Sequence, residues 1–347
     1  MKVLLVSPKM DNPNGGIAIW TDTYLNNCKD VGIDCNLLNI APMGKRAENG
    51  NAKRNFLVEA KRSNRIFRDL GKLLKESKYD VAHLNTSCGT FGIIRDYLIA
   101  KKIKKHDANI KLLVHFHCDI PVQIANPISK RYLRKLIKLS EGNLVLCDNS
   151  KNYLKNEFNF ESKKIPNFMD EALLNEKKAI SPKIRNALFI GRVCEAKGAF
   201  EIFEIAKSFP EIIFEFAGAY SDEIEKMKLP SNVCMLGMLS HENVLNKLDE
   251  ADLFLFPSHS EGFSIALMEA MARGVPTIAT DVGANRDMLE NQGGIIVAMS
   301  DVDSMKQAMN DIADETVRRK MSEWNICKVK NNYVTKQVMA QLSWCYK

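Results

Sequence analysis

The sequence lacks the features that define several large protein classes. No apolar run approaches the roughly 18 residues that suggest a membrane span. The opening "MKVLLVSPKM" is interrupted too early for a secretory signal, so it predicts a buried first strand. With 46% hydrophobic and 26% charged residues over 347 positions, the composition predicts a globular protein with room for two domains.

Paired cysteine motifs are missing as well. The nine cysteines stand singly, with no Cys-x-x-Cys motif and an odd total. This pattern argues against a structural zinc site and against a disulfide framework, and it favours buried thiols in a reducing compartment. We therefore expect a cytoplasmic protein.

Two familiar nucleotide-binding motifs are also absent. The sequence contains neither Gly-x-Gly-x-x-Gly nor Gly-x-x-x-x-Gly-Lys-Ser/Thr, which argues against an ordinary nicotinamide-binding domain and a P-loop NTPase. Instead, Gly15 and Gly16 follow the first predicted strand and immediately precede a helix. Glycine lets a ligand approach the N–H groups at the positive end of a helix. A turn that only starts the helix is the alternative.

The charge is distributed unevenly along the chain. Residues 1–180 contain 31 Lys and Arg against 19 Asp and Glu, whereas residues 181–347 contain 18 against 23. The basic excess lies in helical patterns at 52–78 and 129–140. These basic faces are either simply solvated, or they contact an anionic membrane surface or a phosphate-bearing acceptor. No recognition motif or interleaved aromatic pattern accompanies the charge, so no nucleic-acid partner is predicted.

Continuous apolar strands alternate with amphipathic helices along the chain, which indicates parallel sheets covered on both faces. The alternation runs from "VLLVS" at 3–7 to "SKKIPNF" at 162–168 and restarts with "ALFIGR" at 187–192. We predict an α/β chain of two doubly wound, Rossmann-like domains. The predicted parts are domain one at 1–170, a linker at 171–185, domain two at 186–325 and a C-terminal helix at 326–347.

Ligands of such sheets bind beyond the carboxyl ends of the strands. There, "GRVCEAKG" (191–198) supplies Arg192 and Lys197, two cations that can neutralise a diphosphate. Further on, "EGFSIALMEAMARG" (261–274) begins a helix, and the N–H groups at 262–265 would meet a phosphate.

Two glutamates flank that helix start. Glu269 lies about two turns into the helix, and its carboxylate suits a vicinal diol such as a ribose. Glu261 precedes the first turn and is placed to reach the group beyond the phosphates. The alternative is that Glu261 caps the helix and Glu269 is a surface residue.

These motifs resemble the nucleotide-sugar site of retaining glycosyltransferases of the GT-B fold, family 4. The resemblance is strongest over 187–283, where Glu261 and Glu269 match the E-x7-E motif. It implies two Rossmann-like domains that face each other across a cleft, and a C-terminal helix that packs back on the first. The implied reaction moves a sugar from a UDP-sugar, rather than a GDP-sugar, to a glycan or lipid-linked acceptor in surface polysaccharide biosynthesis. The implied mechanism retains the anomeric configuration and needs no metal or other cofactor.

The resemblance also implies roles for individual residues. Arg192 and Lys197 bind the donor diphosphate and stabilise the leaving nucleotide. Glu269 binds the ribose hydroxyls, and Glu261 binds the transferred sugar near the reacting carbon. The remaining binding residues are those that present backbone groups to the donor, namely Gly15, Gly16, Gly262, Phe263, Ser264 and Ile265.

One catalytic residue is implied in the first domain. His117, in "HFHCD" (115–119), resembles the active-site histidine of the family, with Asp119 as a partner. A core or capping histidine is the alternative, and His115 falls in the opposite, buried register. The uneven charge of the chain also fits a peripheral position at the inner membrane face.

Some features depart from the family or favour rivals. After "TDVG" (280–283) many relatives have Gly-Gly-x-x-Glu, whereas Asp287 stands here in place of the glutamate. "DVD" at 301–303 predicts a helix N-cap rather than a metal motif. A nucleotide-sugar 2-epimerase of the same fold and a non-catalytic donor-binding protein are the alternative functions. The second would be expected to lose Arg192, Lys197 or Glu261, and all three are present.

Overall fold

The computed structural model describes residues 1–10, 15–44, 55–175 and 177–347. The chain divides into two compact units. Unit 1 comprises Met1–Phe168 together with Thr335–Lys347, and unit 2 comprises Met169–Val334.

Unit 1 is built on a parallel sheet in the order β2-β1-β3-β4-β5-β6. Its strands are β1 (Lys2–Ser7), β2 (Asp34–Asn39), β3 (Val81–Thr86), β4 (Lys111–Phe116), β5 (Gly142–Val145) and β6 (Lys163–Lys164). Its helices are α1 (Gly16–Asn27), α2 (Phe56–Glu76), α3 (Thr90–His106), α4 (Ile120–Gln123), α5 (Pro127–Ile137), α6 (Asp148–Phe158) and the C-terminal helix (Thr335–Tyr346). Buried apolar clusters lie on both faces of this sheet, which explains its continuous apolar strands.

Unit 2 contains a second parallel sheet, in the order β12-β11-β10-β7-β8-β9. Its strands are β7 (Asn186–Ile190), β8 (Ile213–Ala217), β9 (Val233–Gly237), β10 (Leu253–Phe256), β11 (Thr277–Thr280) and β12 (Gly294–Val297). Its helices are α7 (Ala199–Ala206), α8 (Asp222–Glu225), α9 (His241–Glu250), α10 (Ile265–Ala272), α11 (Asn285–Leu289), α12 (Val302–Asp311) and α13 (Glu315–Asn332).

The strand orders locate the functional edge of each sheet. In unit 1 the winding reverses between β1 and β3, and in unit 2 it reverses between β7 and β10. Ligands of open parallel sheets bind at such reversals, beyond the carboxyl ends of the strands. The predicted α/β class with two parallel, doubly wound sheets is confirmed.

Helix α2 shows how the sequence pattern becomes structure. Ile66, Leu70 and Leu74 recur every fourth residue and are buried against the sheet. Asn55 caps the helix, because its side-chain oxygen accepts a hydrogen bond from the Leu57 N–H at 3.0 Å. Residues 52–54 of the predicted helix lie outside the described part of the chain.

Three segments differ from the sequence prediction. The predicted linker, 171–185, lies within unit 2, where Lys178 is buried and donates hydrogen bonds to the carbonyls of Leu248 and Asp249 at 2.9 and 2.8 Å. The predicted strand 162–168 is only the two residues of β6, since Pro166 has no N–H to donate to a ladder.

The predicted helix 326–347 is interrupted near its middle. Helix α13 ends at Asn332 in unit 2, and the next helix begins at Thr335 in unit 1. Between them, the Tyr333 carbonyl accepts a hydrogen bond from the Met169 N–H at 3.0 Å, and Val334 forms a β-bridge with Met169. This pairing takes the chain out of the helical conformation.

Candidate functional site

Two loops of unit 2, one after β7 and one after β10, meet at the reversal between these strands. Gly198 ends the loop after β7 with a φ of +71°, and a Cβ there would lie 2.1 Å from the carbonyl oxygen of Pro257 in the loop after β10. The His259 N–H donates to the Ala196 carbonyl at 3.1 Å and joins the loops again. Only glycine permits this approach, which holds Lys197 beside the turn after β10.

An ion pair joins the two loops chemically. The Lys197 Nζ lies 2.5 Å from the Glu261 Oε1, and the Ser258 Oγ donates to the same oxygen at 2.7 Å. The Thr280 hydroxyl donates to the carbonyl of Ser258 and fixes the turn from the neighbouring strand. Thus the structure brings together Lys197 and Glu261, which belong to two motifs far apart in the sequence.

The start of α10 leaves backbone donors beside this pair. Ser264 caps the helix, because its Oγ accepts from the Leu267 N–H at 3.1 Å, so the alternative in which Glu261 is the cap is wrong. The N–H groups of Gly262, Ser264 and Ile265 make no hydrogen bond to another described residue. They are donors available to an anion at the positive helix end.

Supporting contacts fix the residues around that helix start. The buried ring of Phe263 packs edge-to-face on Tyr333, with ring centroids 5.2 Å apart. A Cβ at Gly283 would lie 2.4 Å from the Glu261 carbonyl oxygen, and the Ala284 N–H donates to the Gly262 carbonyl at 2.9 Å. The segment after β11 therefore presses against the Glu261 turn, although it lacks the second glycine of many relatives.

Glu269 points inward from the middle of α10. Only 11% of its side chain is exposed, so the alternative of a surface residue is wrong. Its Oε1 lies 2.8 Å from the Nε2 of His241, the first residue of α9. This hydrogen bond raises the pKa of His241. No sequence motif pointed to His241, whose only local signal is its place at a Ser-capped helix start after β9.

Arg192 occupies the loop directly after β7. Its side chain is exposed and forms no ion pair with any residue that the structure describes. The following residue is fixed, since the Val193 N–H donates to the Ala219 carbonyl at 2.9 Å. Arg192 is thus an unpaired cation, within the described chain, on an anchored backbone beside the edge where Lys197 lies.

A second histidine–glutamate pair lies next to the turn after β10. The Nε2 of His259 lies 2.6 Å from the Oε1 of Glu201 on α7. Both side chains are largely buried, with 24% and 10% exposed. The pair ties the turn after β10 to α7, the helix that follows the Lys197 loop.

The predicted site residues of unit 1 lie at its own strand ends. Gly15 has a φ of 109°, which L side chains rarely adopt, and Gly16 begins α1. One turn later the Trp20 ring contacts the His117 ring, with centroids 5.2 Å apart. Asp119, the predicted partner of His117, instead accepts hydrogen bonds from Asn149 and Ser150, at 2.8 and 3.1 Å.

His117 is half-buried and belongs to a histidine cluster whose other two members, His83 and His115, are buried. Its ring lies 4.1 Å from that of His115, which in turn lies 5.4 Å from that of His83. Burial lowers the pKa of His83 and of His117 to about 3 and lowers that of His115 well below its usual range. All three imidazoles are therefore neutral at physiological pH. The prediction that His115 is buried is confirmed.

Neither a metal cluster nor a membrane-spanning helix occurs in the described ranges. No group of three or more His, Cys, Asp or Glu among these residues could hold a metal ion. Asp301 of the "DVD" segment accepts from the Ser304 N–H at 2.9 Å, which confirms the predicted N-cap. No helix among the same residues is both long and apolar enough to span a bilayer.

Comparison with known proteins agrees with this geometry. Residues 170–325 match the sequence model of the family described as "Glycosyl transferases group 1". The chain is related to glycosyltransferases. Similar curated proteins include the 2-deoxystreptamine N-acetyl-D-glucosaminyltransferase of Niallia circulans, 26% identical over 70% of this chain and 71% of that protein. Another is the UDP-Gal:alpha-D-GlcNAc-diphosphoundecaprenol alpha-1,3-galactosyltransferase of Escherichia coli, 24% identical over 76% of this chain and 74% of that protein.

Solved structures support the fold. The sucrose-phosphate synthase from Thermosynechococcus elongatus matches with a TM-score of 0.78 over 99% of this chain and 98% of that one. The sequences are only 15% identical, so the match concerns the fold alone. Together with the two parallel sheets, it confirms the predicted GT-B fold class.

Proposed function

We propose that this chain is a retaining glycosyltransferase that moves a sugar from a UDP-sugar to a glycan or lipid-linked acceptor in surface polysaccharide biosynthesis. The observation that carries the proposal is the convergence of Lys197 and Glu261 at the strand reversal of unit 2, beside the amides that begin α10. The match of residues 170–325 to the glycosyl transferases family supports it.

The donor diphosphate binds between the two loops in this proposal. Arg192 is an exposed cation, and the amides of 262–265 add the positive end of α10. A phosphate bound there competes with Glu261 for the ammonium of Lys197, because Lys197 is paired with that carboxylate. Donor binding thus releases Glu261 toward the sugar hydroxyls.

The nucleoside lies further along the same helix. We assign its ribose to Glu269, whose carboxylate accepts hydrogen bonds from two neighbouring hydroxyl groups. Uridine is the proposed base, and the donor named for the Escherichia coli relative, UDP-Gal, supports this choice.

The chemistry follows from where charge develops. As the glycosyl–phosphate bond breaks, negative charge grows on the diphosphate, where Arg192, Lys197 and the helix amides stabilise it. The acceptor hydroxyl attacks from the side that the phosphate leaves and gives its proton to the departing phosphate, which retains the anomeric configuration. In this proposal His117 is a neutral residue of unit 1 rather than an acid, because burial lowers the pKa of its imidazole to about 3. No metal or cofactor takes part in this scheme.

The acceptor side is assigned to unit 1. Several apolar side chains are exposed in the first turns of α2 to α5, namely Phe56, Leu57, Phe91, Val122 and Ile128. Helices α3 and α4 follow β3 and β4 of one parallel sheet, α5 comes directly after α4, and α2 lies in the connection between β2 and β3. Exposed basic residues of α5 lie next to them, namely Lys130, Arg131 and Arg134.

Apolar and basic side chains together match the surface of an anionic membrane, where each basic residue contributes about 1 kcal/mol. We propose that this surface holds the protein at the inner membrane face. The Escherichia coli relative, whose acceptor is named as alpha-D-GlcNAc-diphosphoundecaprenol, supports a lipid-linked acceptor.

A donor panel tests the proposed function. Purified protein is incubated with a series of UDP- and GDP-sugars, with and without lipid-linked acceptors, and released nucleoside diphosphate is measured. Release from a UDP-sugar, with the anomeric configuration retained in the product by NMR and undiminished by EDTA, is the expected result. Absence of release from every donor would overturn the enzyme assignment, and conversion of the donor into its epimer would favour the 2-epimerase.

A further inference from the structure

The His241–Glu269 pair joins two helices of unit 2. His241 is the first residue of α9, and Glu269 lies in the second turn of α10. Their Nε2 and Oε1 atoms are 2.8 Å apart, a distance typical of a charge-assisted hydrogen bond. The sequence separation of 28 residues means that the fold, rather than one helix, brings them together.

The two oxygens of the Glu269 carboxylate differ in their hydrogen bonding. Glu269 is largely buried, yet its Oε2 makes no hydrogen bond to any residue in the described part of the chain. This oxygen is not among the fully buried unpartnered side-chain atoms of the described residues, so a ligand donor can reach it. A ribose hydroxyl is such a donor.

The position of His241 argues against a purely structural role. A protonated imidazole at the start of a helix is opposed by the helix dipole, although the bond to Glu269 raises the pKa of His241. The ring is also 57% exposed and so contributes little packing. The function of this histidine therefore lies in what it does to Glu269.

We propose that His241 is a positioning residue for the donor ribose. It holds the Glu269 Oε1, keeps the carboxylate in one orientation and turns the Oε2 toward the ribose hydroxyls. This inference rests on the proposed function, in which Glu269 binds the ribose. It adds a residue on a different helix, which the E-x7-E motif does not include.

Three variants separate positioning from folding. His241→Ala removes the donor to Glu269, and we expect the Kd for UDP and the KM for the UDP-sugar to rise about tenfold with kcat within about twofold. His241→Gln retains an N–H group at similar reach and is expected to restore most of the affinity. Asn243→Ala, an exposed residue two positions further along α9, is the matched control and is expected to behave as wild type.

A ligand that lacks one hydroxyl makes the test specific. Calorimetry compares UDP with 2′-deoxy-UDP in wild type and His241→Ala. If His241 acts through the ribose contact, the variant loses clearly more affinity for UDP than for 2′-deoxy-UDP, which retains only the 3′-hydroxyl. Equal loss for both ligands, or no loss for UDP, would overturn the inference while leaving the proposed function intact. Failure of the wild-type protein to bind UDP or GDP at all would instead overturn the proposed function, and this inference with it.

Discussion

The two units use histidine in opposite ways. In unit 1, His83 and His115 are fully buried and His117 is half-buried beside them, and burial lowers the pKa of each. In unit 2, His241 and His259 lie at the sheet edge, and each is bonded to a glutamate. The same side chain is thus a neutral core residue in one sheet and the partner of a carboxylate in the other.

This difference explains how each unit treats charge. In unit 1 these three histidines are neutral, and basic residues lie on exposed helix faces such as that of α5. Unit 2 holds opposite charges together at the carboxyl ends of its strands, as in the Lys197–Glu261 pair. The second arrangement supplies fixed charges to a ligand, which is why the donor site is assigned there.

The largest expected effect is a loss of folding stability in unit 1 at acid pH. His83 and His117 bind no proton in the folded protein until pH about 3, whereas the unfolded chain binds protons near pH 6.5. The unfolded state therefore takes up more protons as pH falls from 6.5 toward 3, and folding stability falls with it. At pH 5, His83 and His117 are each expected to lower the free energy of unfolding by about 2 kcal/mol relative to neutral pH.

Urea unfolding at pH 7.5 and 5.0 measures this loss, and peptide-resolved hydrogen exchange assigns it to a unit. The variant His115→Leu removes one buried imidazole, so it is expected to lose less stability over the same interval. An equal loss in both proteins, or a loss confined to unit 2, would show that the buried cluster does not set the acid sensitivity.

The next effect concerns the charged edge of unit 2. Lys197→Ala removes a cation that, in the proposed function, stabilises the leaving diphosphate, and we expect transfer to fall at least about 100-fold with the fold intact by circular dichroism. Lys207→Ala, an exposed lysine after α7 that pairs with Glu204, is the matched control and should retain full activity. Turnover unchanged in Lys197→Ala would show that the diphosphate site is misassigned.

A smaller effect tests the close approach of the two loops. Gly198→Ala puts a methyl group 2.1 Å from the Pro257 oxygen in a backbone conformation that disfavours it, so we expect a loss of more than about 2 kcal/mol. Gly237 has a similar φ of +67°, but no described atom lies within 4 Å of the place where a methyl group would stand. Gly237→Ala should therefore cost only about 1 kcal/mol. Equal costs in thermal unfolding would mean that the contact with Pro257 is not tight.

The smallest expected effect is on membrane binding by the exposed apolar residues of unit 1. Replacing the exposed Phe56 and Phe91 by serine should reduce co-sedimentation with vesicles of anionic phospholipid several-fold, because each ring contributes apolar area to the membrane contact. Ile213→Ser, at an exposed apolar position of unit 2, is the control. Equal binding by the wild-type protein, the Phe56→Ser/Phe91→Ser double variant and the Ile213→Ser control would contradict the proposed membrane surface.

The sequence predicted most of the fold because both sheets are buried on two faces. Runs such as "LFLF" in β10 are continuous and apolar, and the helices between them have one apolar side. The C-terminal break escaped prediction because Tyr333 and Val334 leave the helix to pair with Met169, more than 160 residues away in sequence. No local pattern encodes such a pairing.

The candidate site was predictable only where its parts are local motifs. Lys197 and Glu261 belong to recognisable segments, and the structure places them 2.5 Å apart. His241 escaped prediction because its importance depends on a contact with another helix. The roles of all the site residues remain predictions, including those of Arg192, an exposed cation, and of His117, a half-buried neutral ring.

A crystal structure with bound UDP tests the central claim most directly. The account predicts phosphate oxygens within hydrogen-bonding distance of Arg192, Lys197 and the amides at 262–265, with the ribose on Glu269. A diphosphate bound elsewhere, with the Lys197–Glu261 pair left unchanged, would contradict it.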